Sequence, residues 1–415
     1  MTDVPRVILL LYPHCGYDRG VLQGIGRYAR AHGPWFFHLA GEEPGLPLPE
    51  MESVSNAPIK AIPMGEGCCR MYVPNVRLWG TTGIIGRLQT PEITKMALRS
   101  GVPVIAMDLS DEQLAGGLPL TKISELRPNS HQASRLAAEH LMERGFRNFG
   151  YCGYANRTWS ERRRQGFCQR LEEAEFPCNV YQPPQRGAPI PWNRELASVV
   201  NWLRALPKPV GIMTCNDVRG RQVLEAGIVG KMAVPDEVAV VGVDDDQLLC
   251  ELSNPSLSSV ELNVEQGGYQ AAELLDRLMS RRLRKPRLIE VEPLWVVPRQ
   301  STDVVAVEDQ EVAAALRFIR QNAKRAIGVR DVVSQVALSR RALEIRFERS
   351  LGRSIRSEIQ RVRLDWTKRL LVETDISVEK ISDLVGFNSL SYLSKVFHRE
   401  TGKTMAQYRR QNRPS

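Results

Sequence analysis

Near the end of the chain, Arg340, Arg341, Glu344 and Arg349, and one repeat later Ser391, Lys395 and Arg399, have the types and spacing to grip a nucleic acid. Each set follows a serine, Ser339 or Ser389, that can cap a helix by accepting a backbone N–H. Arg341 and Lys395, close to the helix starts, have the reach to meet base edges, with Glu344 and Ser391 as polar partners. Arg340, Arg349 and Arg399 suit phosphate oxygens. A second group of side chains is rich in carboxylate. Asp217 and Asp244 each stand just past an apolar strand-like run, and Asp18, with Tyr17, falls in the first strand-to-helix turn. Carboxylates so placed can accept from the hydroxyls of a small polar ligand or cap the following helix. Trp159 offers a flat apolar face to a ligand ring or to the core.

The elements that hold the basic set come as a duplicated module. Ser339, Leu343, Phe347, Arg349 and Gly352 recur in order as Ser389, Leu393, Phe397, Arg399 and Gly402, the mark of an internal repeat. Each copy reads as helix, tight turn and second helix. In the first, Val329, Val332, Val333 and Val336 form an apolar stripe, and Leu343, Phe347 and Leu351 face the core. In the second, Ser377 opens a helix with Val378, Ile381 and Leu384 inward, Gly386 turns, and Ser389 or Asn388 caps a helix whose inner face is Tyr392, Leu393, Val396 and Phe397. Between the copies Ile355, Ile359, Val362, Trp366 and Leu370 keep one helical face. This is the pattern of a tandem helix-turn-helix, all-α, over residues 309–415, with motifs at about 329–350 and 377–400.

Ahead of it, apolar runs such as 7–12, 35–39, 82–87, 103–107, 148–152, 210–215 and 238–243 alternate with helical stretches at 17–31, 92–100, 130–144, 160–173, 193–206 and 217–226. Continuous Val/Ile runs separated by helices indicate parallel strands covered on both faces, a doubly wound α/β architecture. There are strands enough for two sheets. We expect a domain over 1–301, with one lobe at about 1–112 and 261–300, the other at about 113–260, and a linker at 302–308. Ligands of such folds sit beyond strand carboxyl ends, here in the cleft between lobes. Residues 41–67 lack periodicity and receive no assignment.

Composition supports this division. The chain carries 56 Lys+Arg against 47 Asp+Glu, net +9. Residues 309–415 hold 22 of the basic and 12 of the acidic side chains, so all of the excess lies on the tail, as phosphate neutralisation requires. The eight cysteines are scattered without CxxC or zinc-ligand spacing, which fits a reducing compartment, the cytoplasm. The apolar run at 7–11 is too short for a signal or membrane span. Gly24-Ile25-Gly26 imitates part of a dinucleotide fingerprint but lies inside a helix, well after its strand. No catalytic constellation stands out; no enzyme activity, cofactor or metal is expected.

The runs LSRRALEIRFERSLGRS (338–354) and GFNSLSYLSKVFHRETGKT (386–404), with Tyr408-Arg409, resemble the two half-modules of the AraC/XylS family of bacterial transcription regulators. Ile345 departs from a usually basic position, and Met405 from a usual proline. GYDRGVLQGIGRYAR (16–30), ERRRQGF (161–167), TCNDVRGRQVLEA (214–226), VPDEVAVVGVDDD (234–246) and LSSVELNVEQGGYQAAELL (257–275) resemble the type I periplasmic-binding-protein-like fold that LacI-type repressors use as a sensor. The resemblance implies that Asp217 and Arg163 contact a sugar, with Asp18, Asp244, Tyr17 and Trp159 as further ligand residues. At RPNSH (127–131) an aspartate usual in relatives is absent. The resemblance thus implies a ligand-responsive regulator of operator DNA, a homodimer with RNA polymerase as a further partner. Its effector would be a monosaccharide such as xylose, and each tail would span two major-groove faces roughly 34 Å apart. Two alternatives stand beside it: a front domain that serves protein interaction or dimerisation without a sugar, and an α/β enzyme fused to a DNA-binding tail.

Overall fold

The computed structural model describes residues 4–39, 59–63, 70–77, 79–88, 90–109, 113, 123–155, 157–183, 191–283, 285–304, 307, 309–323, 325, 327–387 and 389–412. The strands are β1 (Arg6–Leu10), β2 (Phe36–Leu39), β3 (Ile59–Pro63), β4 (Arg70–Pro74), β5 (Gly83–Arg87), β6 (Val104–Met107), β7 (Ile123–Pro128), β8 (Asn148–Cys152), β9 (Cys178–Val180), β10 (Val210–Thr214), β11 (Val238–Asp244), β12 (Ser258–Leu262), β13 (Leu288–Val291) and β14 (Pro293–Val297). The helices are α1 (Gly16–His32), α2 (Pro91–Arg99), α3 (Ser130–Met142), α4 (Thr158–Glu172), α5 (Trp192–Ala205), α6 (Asp217–Val229), α7 (Gln247–Leu252) and α8 (Val264–Met279), then in the tail α9 (Gln310–Asn322), α10 (Val329–Val333), α11 (Arg340–Leu351), α12 (Ile355–Glu373), α13 (Val378–Leu384), α14 (Leu390–Thr401) and α15 (Met405–Asn412).

The chain divides into two compact units. The first comprises Met1–Ser130, Asn156–Arg162 and Leu262–Pro293; the second comprises His131–Ala155, Arg163–Glu261 and Leu294–Ser415. The first holds a six-stranded sheet in the order β13-β7-β6-β5-β1-β2, parallel throughout. Its strands bury continuous apolar runs, with Ile8, Leu10, Ile84, Val104 and Ala106 in one cluster. Helix α1 lies against α8. A Cβ on Gly24 would stand 2.0 Å from the Glu265 carbonyl oxygen, so glycine here permits backbone contact between the helices. That contact accounts for the glycines that imitate a dinucleotide fingerprint.

The second unit holds the order β14-β12-β11-β10-β8-β9. All seven residues of β11 but the last are buried, as parallel strands covered on both faces require. Two strands sit apart from the expected lobes. β7 belongs to the first sheet, although 113–260 was assigned to the other lobe; its sequence, ISELRP, mixes polar with apolar residues instead of forming a Val/Ile run. β14 belongs to the second sheet, although 261–300 was assigned to the first lobe. The chain passes between units at Pro293–Leu294, two residues past the end of β13, and nothing in local pattern marks that passage. The linker also begins later than Thr302, which is fully buried; its hydroxyl meets those of Ser258 at 2.7 Å and the His140 ring at 2.9 Å.

The tail has two small cores sharing one helix. Val332, Leu343, Phe347 and Leu351 pack with Ile355, Ile359 and Val362 from the first half of α12. Leu364, Trp366 and Leu370 from its second half pack with Ile381, Leu393, Val396 and Phe397. Two inward assignments do not hold. Leu384 is 50% exposed, because Val385, one turn on from Ile381, takes its place in the core. Tyr392 is 39% exposed, and its hydroxyl accepts from the Gln360 side chain on α12.

Candidate functional site

In the tail, Ser339 caps α11 by accepting from the Ala342 amide, and Ser389 caps α14 by accepting from the Tyr392 amide. Ser389 thus takes the role left open between it and Asn388, which lies outside the described residues. Gly352 and Gly402 end the two helices in the left-handed conformation, φ +67° and +66°, the usual glycine stop. With Leu343 and Phe347 inward, Arg340, Arg341, Ile345 and Arg349 are exposed on α11; with Leu393, Val396 and Phe397 inward, Ser391, Lys395 and Arg399 are exposed on α14. Arg340 pairs with Glu344 at 2.9 Å and Arg399 with Glu400 at 2.8 Å, both pairs largely exposed. Such pairs are weak enough to exchange for phosphate. Ile345, 60% exposed, puts an apolar side chain on the same outer face.

In the first unit, the turn after β1 brings Asp18 to Arg87 at the carboxyl end of β5. Arg87 donates to Asp18 at 2.7 Å and to Asp108, beyond β6, at 2.8 Å. Asp18 also accepts from the Tyr12 amide, and the Arg87 guanidinium lies 5.8 Å from the Tyr17 ring centre. Asp18 and Tyr17 are buried and Trp159, in the first turn of α4, is half-buried. Burial alone would depress the Arg87 pKa, but the flanking aspartates raise it above its ordinary value.

In the second unit Arg163, 3% exposed, pairs with Asp244 at 2.9 Å and donates to the Cys215 carbonyl. Asp244 ends β11 with φ +109°, followed by Asp245 at φ +50°, conformations that strain non-glycine residues by about 1–3 kcal/mol each. Asp245 is held by Arg299 at 2.7 Å and by the Ser259 hydroxyl. Asp217 turns inward. Its carboxylate accepts from the Ser259 hydroxyl at 2.5 Å and the Asp246 amide at 2.7 Å. A Cβ on Gly242 would fall 2.2 Å from it. Burial, then the Asp244 charge, raises its pKa. Asp217 thus ties α6 to the strained turn that aims Asp244, and does not itself cap the helix: Asn216 does, accepting from the Arg219 amide at 3.0 Å.

The sequence reading missed Arg87, Asp108 and Asn216. Arg87 and Asp108 had a signal, each closing an apolar strand run at the same end as Asp244. The half-buried Asn216 immediately precedes Asp217 and shares its strand-to-helix turn. Asn129, where an aspartate is usual in relatives, donates to Glu292 at 3.1 Å within the first unit.

A periplasmic binding protein-like domain family matches residues 138–302, and a helix-turn-helix domain family matches residues 332–411. Over 407 residues the chain is 30% identical to the xylose operon regulatory protein of Haemophilus influenzae, spanning 97% of this chain and 98% of that one. The chain belongs to the family of the xylose operon regulatory proteins. The Escherichia coli K12 member is 29% identical over 412 residues, 98% of this chain and 97% of its own. The solved structure of the xylose-binding transcription activator xylR covers 100% of both chains at 28% identity, with TM-score 0.58. A CelR–cellobiose complex, 18% identical, covers 72% of this chain and 86% of that one with TM-score 0.52, a likeness of fold alone. As a member of this family the protein is a DNA-binding transcription regulator, a periplasmic-binding-like sensor followed by an AraC-type tail. Among the described residues no helix is long and apolar enough to cross a membrane.

Proposed function

We propose that this regulator takes D-xylose or a closely related pentose as effector, and that binding alters its hold on operator DNA. The observation that carries the reading is co-linearity over nearly the whole chain with regulators named for the xylose operon. The local chemistry supports it. Each unit presents an arginine paired with carboxylate at strand carboxyl ends, Arg87 with Asp18 and Asp108, Arg163 with Asp244. Paired carboxylates and guanidinium groups of this kind exchange internal partners for the donors and acceptors of sugar hydroxyls. Tyr17 and Trp159 supply apolar faces for the ring. In this reading Asp217 braces Asp244 and does not touch the sugar.

On the DNA side, Arg341, Ser391 and Lys395 meet base edges with Glu344, while Ser339, Arg340, Arg349, Ser389 and Arg399 hold the backbone. We infer that the protein works in the cytoplasm as a homodimer on repeated half-sites, with RNA polymerase as a partner of the bound complex. A thermal-shift panel of aldopentoses, ketopentoses and hexoses tests the effector. D-xylose is expected to stabilise the protein most, and no stabilisation by any sugar would refute the assignment.

A further inference from the structure

The second unit contains both one sheet of the sensor, with its helices, and the whole DNA-binding tail, and the contacts between them are specific. Helix α3 begins where the chain passes from the first unit to the second, at Ser130–His131, and runs 13 residues, about 20 Å. Its far end meets the tail. The carbonyl oxygen of Glu143, one residue past the helix, accepts from Arg320 of α9 at 3.1 Å and from Arg353, just before α12, at 3.0 Å. The last carbonyls of a helix lack internal partners and carry the negative end of its dipole, so two guanidinium groups are well placed there. The Glu143 carboxylate pairs with Arg361 of α12. Arg361 and Arg353 together clasp Glu358, whose side chain is fully buried. Burial would raise the Glu358 pKa, but these guanidinium groups bring it down to about 2, so Glu358 is charged at neutral pH; burial raises the Glu143 pKa, against the pull of Arg361. Just before the next strand, β8, the Arg147 side chain donates to the Ser350 carbonyl, at the end of the first recognition helix.

The second passage between units leads to the same helix. β14 begins at Pro293–Leu294; its Val296 carbonyl accepts from Arg369 of α12 at 2.9 Å, and that guanidinium lies 5.8 Å from the Trp295 ring centre. The sensor therefore touches the tail through segments that start at passages between its units. Most of these contacts converge on α12, the helix shared by both small cores, and on the end of α11; none of these hydrogen bonds or ion pairs reaches α14.

We propose that Glu143 and Arg147 are positioning residues for DNA reading: through them the sensor holds the first helix-turn-helix motif in place, and α3 delivers the effector's signal to it within one chain. The effector part of this statement rests on the pentose reading above. The two arms of the test separate them. In the first, the full-length chain is titrated with the DNA flanking its own gene, with and without D-xylose. In Glu143→Gln/Arg147→Gln the effect of xylose on DNA affinity is expected to shrink at least about fivefold towards none, while the thermal shift caused by xylose persists. Glu139→Gln lies on the same helix but pairs with Arg135 and Arg170, and should leave the effect intact. A double variant that keeps the wild-type response overturns the coupling. If the wild type itself ignores xylose, the effector reading fails, and the second arm still decides the positioning. It uses hydrogen exchange of the full chain without sugar. Amides of 340–351 should exchange about tenfold faster in the double variant, with 390–401 unchanged; equal rates at 340–351 overturn the positioning.

Discussion

Replacing Arg163 by methionine removes the guanidinium that Asp244 is paired with, in a place where the arginine side chain is 3% and the aspartate 15% exposed. Breaking a buried pair in this way costs about 3–5 kcal/mol. The loss has a ceiling, because Asp244 can take up a proton. At pH 7 that escape costs about 4 kcal/mol for an aspartate of ordinary pKa near 3.9; at pH 5 it costs about 1.5 kcal/mol, at 1.36 kcal/mol per unit. In the variant the folded state holds a proton that the unfolded state has released, so its stability falls as pH rises. The penalty relative to wild type should be roughly 3–4 kcal/mol at pH 7 and shrink to about 1.5 kcal/mol at pH 5. Urea unfolding at both pH values measures it, with Trp202 in the second unit's core as a local probe. Xylose should fail to stabilise the variant at either pH, which separates the binding role from the fold. A penalty equal at pH 5 and pH 7 would refute the reasoning, since it would mean that Asp244 is not the group left exposed to the loss.

Arg341→Ala and Lys395→Ala are each expected to weaken specific operator binding by about 1–3 kcal/mol and to relax sequence preference in one half-site only; anisotropy titrations against base-substituted half-sites measure both. Phe397→Ala, at a fully buried position in the second small core, should cost about 3–5 kcal/mol, and footprinting should then show the second half-site lost with the first retained. Ile345, exposed on the outer face of α11, should favour a thymine methyl group if that face reads bases as proposed; uracil in place of that thymine should weaken wild-type binding and leave Ile345→Ala unaffected. Burial, then the charges of Asp245 and Glu373, raise the Glu261 pKa to about 7. Its folded form holds a proton that the unfolded chain releases from about pH 4.5 upward. Stability is therefore lost between about pH 4.5 and 7, and Glu261→Gln should gain roughly 3 kcal/mol over wild type at pH 8 but little at pH 4, as urea unfolding will show.

Local signals carried much of the fold. The Val/Ile run of β11 and the four-and-three spacing of α12 are each legible because one face or both are buried along the whole element. The serine caps and glycine stops of α11 and α14 are legible because a backbone end needs a short oxygen acceptor or a left-handed residue within a fixed distance. β7 and β14 were not legible as members of particular sheets. Each is short, and which sheet it joins depends on partners far away in sequence, Glu125 with Leu288 among them. Leu384 and Tyr392 show the limit at single residues: a seven-residue helix leaves the choice between Leu384 and Val385 to the neighbour that covers them.

By itself the sequence determined that the tail is a repeated, positively charged pair of helix-turn-helix motifs and that the front is a two-sheet α/β domain. Periodicity, capping and net charge are properties of neighbouring residues and need no third dimension. Only the tertiary structure decided what the carboxylates do. Asp217 and Asp244 look alike in sequence, each at a strand end before a helix; one is closed in by Ser259 and Asp246, the other pairs with Arg163. It also decided that Glu143 is a contact to the tail and not one more charge on a helix end. The partners that make the difference lie tens to hundreds of residues away, and a short-range pattern carries no information about them.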